Sequence, residues 1–394
     1  MTELWRLGAG ELAARIAARK LSPVELMRET LARIDAVNGA VNAVVALRDR
    51  EALMGEARLA EAMPAAGPLH GLPIAIKDTV AVKGVRSTWG VPFLADFVPE
   101  EDEAMVARLR AAGAIVIGKT NVPMFAVGSH SKNPVYGETR NPYDLSVTVG
   151  GSSGGAGAAL ATGMLSLADG SDMMGSLRNP GAWNGVYGFR PTVGLIPPEK
   201  SDAAVTGPIS TRGPMARSVG DLELLLSVQS GGAFVAATAP GRTPRVGWLG
   251  DWGGAFAFED GLMTQAEGAL SVMEGIGWQV EPLAPPMPRE ALWQSWTDLR
   301  SFLLAQDHAQ NWDDPARRAM LNAQILWEIE RGRSMTGETL AVAAGLRRQW
   351  LDVLRALFDQ VDLLVLPSAQ VWPFPVEIDW PTEIAGQEMD TYHR

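Results

Sequence analysis

Hydrophobic and polar positions repeat along this chain with two periods, and the places where the period changes divide it. Over residues 9 to 63, apolar residues recur three and four apart in "AGELAARIAARK" and "SPVELMRETLARIDAV", with Ser22 as an N-cap and Pro23 at the first helical position. This spacing predicts a helical layer. "GLPIAIKD" alternates instead: Leu72, Ile74 and Ile76 share one face, Ala75 and Lys77 the other, and a strand ending in a lysine is expected. "EEDEAMVARLRAAGAIVIGKTN" is acidic at its start and basic toward its end, with Gly113 as a helix stop before the β-branched run "AIVI". Helix followed by strand indicates an α/β layer fold. "LSVTV" reads as a strand, while "GFRPTVGLIPPE" and "GPISTRGPMARS" read as loops before a helix from about Val219. "PRVGWLG" is a further strand. The last third predicts helices near 261–275, 288–309, 314–332 and 337–359, then a buried strand "VDLLVLP". No repeat interrupts this pattern, and 230–244 reads as a loop inside one domain.

Composition narrows the function classes. The 394 residues are 47% hydrophobic, enough for a real core. A balance of 34 basic to 45 acidic residues, net −11, disfavours nucleic acid or an anionic membrane surface as partner. There is no cysteine, hence no disulfide, thiolate metal site or cysteine nucleophile. The charged N-terminus lacks the pattern of a secretory signal, so a cytoplasmic location is expected. The longest uncharged run, Leu145 to Ala168, is rich in Gly, Ser and Thr and suits burial in protein better than lipid.

Two short patterns carry candidate chemistry. "GAIVIGKT" matches a phosphate-loop expression, but the residues between its glycines are apolar and β-branched, where a phosphate cradle needs exposed backbone N–H groups; a strand fits better. "GGSSGG" contains G-x-S-x-G twice, centred on Ser152 and on Ser153. A nucleophile elbow and a glycine turn packed on a small-residue helix explain it equally well. The elbow needs a later histidine, and only His308, within a predicted helix, and His393, next to last, are available. Lys77 adds a third element. It is one of six lysines against 28 arginines, and burial at a strand end would oppose its charge. Reaching a pKa near 7 from about 10.4 requires about 4 kcal/mol, which burial can supply. Pairing with Asp78 or snorkelling to solvent is the bland reading.

Taken in order, "GLPIAIKD", "NPYDLSVTVGGSSGGAGAAL", "GSDMMGSLRNP", "GFRPTVG" and "GPMARSVGD" resemble the amidase signature family over essentially the whole chain. The resemblance implies a single α/β domain, residues 1–394, with a central mixed sheet sandwiched between helical layers. It implies a catalytic triad of Lys77, Ser152, preceded by a cis peptide, and Ser176 as nucleophile, hydrolysing a carboxamide through an acyl-enzyme without metal or cofactor. Backbone N–H groups of Met173, Met174, Gly175 and Ser176 would form the oxyanion hole; the "MM" pair departs from the family, and a positive φ at Met174 would strain it. Ala126, Ser129 and Ser153 are expected to contact substrate, and Asp172 with Arg178 to hold the nucleophile loop. Family members usually continue past "TYHR", so the last strands and helices are expected to be missing. The expected partner is a small-molecule amide, with a homodimer as candidate assembly. The alternatives are a glutamine amidotransferase A-type subunit, an elbow esterase using Ser152 or Ser153 with His308, and a catalytically dead scaffold. Trp293, Trp296, Trp312, Trp327 and Trp350 read as core packing, or as an apolar substrate site if they face the pocket.

Overall fold

The computed structural model describes residues 3–197, 208–236 and 241–393. The chain opens with helices α1 (Ala9–Ala17) and α2 (Pro23–Val41), the short strand β1 (Val44–Val45) and helix α3 (Arg50–Ala62). Ser22 caps α2 as its sequence demands, accepting from the N–H groups of Val24 and Glu25. Strand β2 (Pro73–Lys77), helix α4 (Ala104–Ala111) and strand β3 (Ile115–Thr120) follow, then the hairpin β4 (Lys132–Asn133) and β5 (Gly137–Glu138). The phosphate-loop match is therefore a strand. Helix α5 (Gly154–Ala161), strand β6 (Leu167–Asp172), helix α6 (Arg178–Trp183), strands β7 (Tyr187–Gly188) and β8 (Thr211–Ala216) and helix α7 (Val219–Gln229) complete the first half.

These strands form one mixed sheet in the order β1-β3-β2-β6-β8-β7. β2 runs parallel to both β3 and β6; β8 is antiparallel to β6 along its whole length. The alternation read from the sequence holds across the sheet. Ile74, Ile76 and Val116 join a core with Leu12, Leu109 and Leu225 from α1, α4 and α7. Ala75, Ile115 and Ile117 face an opposite core with Leu31, Leu53 and Leu160 from α2, α3 and α5. Helical layers thus cover both faces, as expected.

Beyond this sheet lie β9 (Arg245–Trp248), α8 (Leu262–Gly275), β10 (Gln279–Pro282), α9 (Arg289–Asp307), α10 (Ala309–Asp313), α11 (Pro315–Arg318), α12 (Ala323–Arg333), α13 (Gly337–Gln360) and β11 (Leu363–Val365). β9 sits between β10 and β11 in a separate parallel sheet, and α9 packs on α12 and α13. A small hairpin, β12 (Glu383–Ile384) and β13 (Gln387–Glu388), closes the described chain. No helix among the described residues is long and apolar enough to cross a membrane.

Four local expectations need correction. "GPISTRGPMARS" contains the six-residue strand β8, concealed by Gly213 and Pro214 and imposed by pairing with β6. "LSVTV" is no strand; Val147 and Thr148 make only isolated bridges to Pro375 and Arg140. The 314–332 helix breaks in two, because Asn322 caps α12 by accepting from the Ile325 N–H. β11 is an edge strand with Leu363 exposed, where a buried strand was expected. Within the 230–244 loop, residues 237–240 lie outside the described residues, as do 198–199 of "GFRPTVGLIPPE" and Gly207 of "GPISTRG".

Candidate active site

β2 carries Lys77 into the middle of the sheet, where the side chain is fully buried. Its Nζ lies 2.8 Å from Ser152 Oγ, 2.8 Å from Ser153 Oγ and 2.9 Å from Ser171 Oγ. Burial pushes the amine down to about 7, against the upward pull of Asp169 and then Asp172. Near neutral pH the amine can therefore be uncharged, with two N–H groups and one lone pair to share among three hydroxyls. Asp169 lies below it: Oδ1 accepts from the Lys77 N–H at 2.8 Å, and Oδ2 has no partner among the described residues. Burial pushes this carboxyl up, opposed by the Lys77 N–H and by the charges of Arg212, Lys119 and Lys77.

The serines arrive on a tight crossing of backbone. A Cβ at Gly151 would lie 2.8 Å from the Ser129 carbonyl carbon and 2.9 Å from the His130 nitrogen, so only glycine lets the strands pass. The Gly151–Ser152 peptide is cis. Ser153 then starts α5, and its N–H donates to the Ser176 carbonyl at 3.2 Å, joining the two serine segments.

The loop between β6 and α6 holds Ser176, and Asp172 organises it. This fully buried carboxylate accepts from the N–H groups of Gly175 (2.9 Å) and Leu177 (3.1 Å). It also accepts a bidentate pair from Arg178 at 3.0 and 2.9 Å and a further bond from Arg190 at 3.1 Å. Burial alone would raise its pKa; the Arg178 hydrogen bonds and charge, with the two N–H groups, outweigh it and hold the carboxyl far below its usual range. The expected structural role of Asp172 and Arg178 matches this geometry. Gly175, with φ at +117°, takes the left-handed conformation, and Met174 is spared it. Gly175 also departs from the expected oxyanion set, since its N–H is directed to Asp172.

Ser152, Ser171 and Ser176 line one cavity of about 540 Å³. Its lining joins the apolar Trp89, Phe97, Phe125 and Leu303 to the polar Arg300, Asp307 and Asn311, and Ala126 also lies in it. Two expected substrate contacts do not. Ser129 lines a different hollow behind the 126–129 turn and accepts from Asn179, and Ser153 is fully buried beneath Lys77. Ser171 and Asp169 were missed; polar side chains inside the strand "LADGSD" were the available signal. Trp293, Trp296 and Trp350 are not core residues but line a second cavity beyond Met173, Trp312 packs in a core with Val91 and Leu304, and Trp327 is exposed.

His308 lines the serine-bearing cavity too, capping α9, but the hydroxyls of Ser152 and Ser153 turn to Lys77. Its Nδ1 meets the Asn311 amide at 3.2 Å, and burial, then the charge of Arg300, pushes its pKa down to about 4. His393 is bound to Glu328 at 3.0 Å. The described residues contain no group of three His, Asp or Glu side chains arranged to hold a metal.

Comparison with known proteins bears on the chain as a whole. Residues 25–392 match the amidase family. The chain is 32% identical to an acylamidase of Rhodococcus erythropolis, over 99% of this chain and 85% of that one. It is 34% identical to the A-type subunit of the glutamyl-tRNA(Gln) amidotransferase of Thermus thermophilus, covering 93% and 83%. The crystal structure of a bacterial aryl acylamidase of the amidase signature enzymes superposes with a TM-score of 0.87 at 25% identity, covering 98% of this chain and 85% of that one. 6-Aminohexanoate cyclic dimer hydrolase superposes at 0.84 with 27% identity, covering 100% and 84%. By this match along nearly its whole length and by its fold, the chain belongs to the amidase family, the amidase signature enzymes that hydrolyse amide bonds.

Proposed function

We propose that the chain hydrolyses a carboxamide through an acyl-enzyme on Ser176, with Ser152 as relay and Lys77 as base. The observation that carries this reading is the fully buried Lys77 amine 2.8 Å from the Ser152 hydroxyl, with its pKa brought to about 7. In the acylation step the Ser176 hydroxyl attacks the carbonyl carbon; its proton passes to Ser152, and the Ser152 proton passes to neutral Lys77. The oxyanion is held by backbone N–H groups of Met173, Met174 and Ser176. Collapse breaks the C–N bond, and the proton on Lys77 returns through Ser152 to the leaving nitrogen. Water then repeats the path and releases the acid.

The cavity favours a free-standing amidase over an amidotransferase subunit. Glutamine carries a carboxylate that needs a cation, yet the guanidinium lining this cavity, Arg300, is already paired with Glu328 at 2.7 Å, and aromatic and aliphatic side chains take up much of the remaining lining beside Asp307 and Asn311. The test is a fluorophosphonate, which modifies activated serines covalently, followed by peptide mapping by mass. A single adduct on Ser176, lost in Lys77→Ala, is expected. An adduct on Ser152 or Ser153 refutes the assignment of roles, and its loss in His308→Ala would establish the elbow esterase.

A further inference from the structure

The second cavity, about 500 Å³, is walled by Trp252, Phe256, Trp293, Trp296, Trp350 and Met174. The rings form a box. Trp293 stacks on Trp296 with centroids 5.7 Å apart, and Trp252 stands 5.9 Å from Trp350 and 6.2 Å from Phe256. The cations at its rim are committed elsewhere: Arg190 to Asp172 and the Ile209 carbonyl, Arg289 to Glu290 and the Ala255 carbonyl, Arg347 to the Pro208 carbonyl. The chamber's walls are thus mainly aromatic and aliphatic, with its guanidinium groups held by their own hydrogen-bond partners, and they suit an aryl or alkyl group.

It adjoins the catalytic cavity through one side chain. Met173, three residues before Ser176, lines both hollows. Arg300 Nη1 lies 2.6 Å from the Met173 Sδ, and sulfur is a weak acceptor on an unbranched, adaptable side chain.

The chemistry decides which half of a substrate lies where. The leaving nitrogen must take its proton from Ser152, and Ser152 lines the catalytic cavity but not the aromatic chamber. The amine half therefore occupies the catalytic cavity, and the acyl half departs from the carbonyl carbon on the other side, across Met173 and Met174. We propose that the aromatic chamber is the acyl pocket, that Met173 is its displaceable partition, and that the substrates are N-substituted amides of apolar acids, arylalkanoic or medium-chain alkanoic. This rests on Ser176 being the nucleophile. The bond formed joins Ser176 Oγ to the acyl carbon, the C–N bond breaks, and the amine leaves with the relayed proton while the acyl chain stays in the chamber.

The test uses p-nitroanilides of acetic, butyric, hexanoic and 3-phenylpropionic acids, so that the leaving group and its proton transfer stay constant. Burial of each methylene is worth about fourfold in kcat/KM, so the hexanoyl over acetyl ratio, four methylenes apart, should reach about 250-fold. Trp350→Ala should cut that ratio at least about fivefold, and Met173→Ala should keep or raise it. Should Trp350→Ala fail to fold, Leu351→Asp, at the exposed rim of the same chamber, must lower the ratio instead. A ratio that is flat or falls with chain length, or that ignores these variants, overturns the acyl pocket. A prior fluorophosphonate titration separates the two failures: no adduct on Ser176 defeats the nucleophile reading, whereas an adduct with a flat ratio defeats only the chamber.

Discussion

Replacing Lys77 by methionine removes one titrating amine from the middle of the sheet with little change of shape, and its effect should depend on pH in a calculable way. The folded-state pKa of about 7 lies below the ordinary 10.5. At pH 7 about half of the folded molecules carry the proton on this amine, and at pH 9 about one in a hundred, while the unfolded chain carries it at both pH values. The unfolded state thus binds more protons throughout this window, so stability from this group rises with pH from about 7 up to 10.5. Between pH 7 and 9 the wild type should gain about 2 kcal/mol over Lys77→Met. Lys119, also buried and pushed down to about 8, titrates in both proteins and cancels from the difference. Urea unfolding of the two proteins at fixed ionic strength measures it. A difference that stays constant within about 0.5 kcal/mol would mean that Lys77 keeps its proton across the range, and an amine that keeps its proton cannot be the base.

Catalysis should follow the same group: kcat/KM falls about tenfold per pH unit below 7 and levels off above it, and an inflection near 4 in a stopped assay would give the base to His308. Asp172→Ala leaves two arginines and two N–H groups without their buried carboxylate, and should cost about 3 to 5 kcal/mol in chemical unfolding, with loss of turnover; a change below about 1 kcal/mol contradicts the account of the loop. Gly175→Ala meets no crowding, its nearest neighbour being 3.8 Å away, but holds φ at +117°, so strain of about 1 to 3 kcal/mol should appear in the melting temperature and in kcat. Ser153→Ala removes one hydroxyl from the lysine and should lower kcat about five- to tenfold, far less than Ser152→Ala; equal losses would merge their roles.

What the sequence disclosed and what it hid have separate physical causes. α1, α2, α4 and α7 and strands β2 and β3 were legible because their signals are local: an apolar stripe, a cap such as Ser22 ahead of α2, a two-residue alternation. β8 was hidden because Gly213 and Pro214 weaken every local preference for a strand that β6 then enforces. "LSVTV" failed in the opposite sense, having the propensity without a neighbouring strand to pair with. At the site, Lys77 stood out as a rare lysine ending an apolar strand, and Ser152 and Ser176 through the ordered motifs. Asp169 and Ser171 reach Lys77 across 92 and 94 residues of chain, a proximity set by the pairing of β2 with β6 that no local pattern encodes.

Asp172 also decides how the serine loop opens. Because a single carboxylate gathers the Gly175 and Leu177 amides and two guanidinium groups, the loop has no partly assembled form of low energy: releasing any one partner weakens the hold on the rest. Opening is therefore cooperative, and the Gly175 and Leu177 amides should exchange with solvent as one unit, at one free energy, even while the sheet beneath them stays closed. The Ser176 hydroxyl is in this sense mounted on a hinge with a single latch, while Lys77 is carried by a fully buried strand paired on both sides.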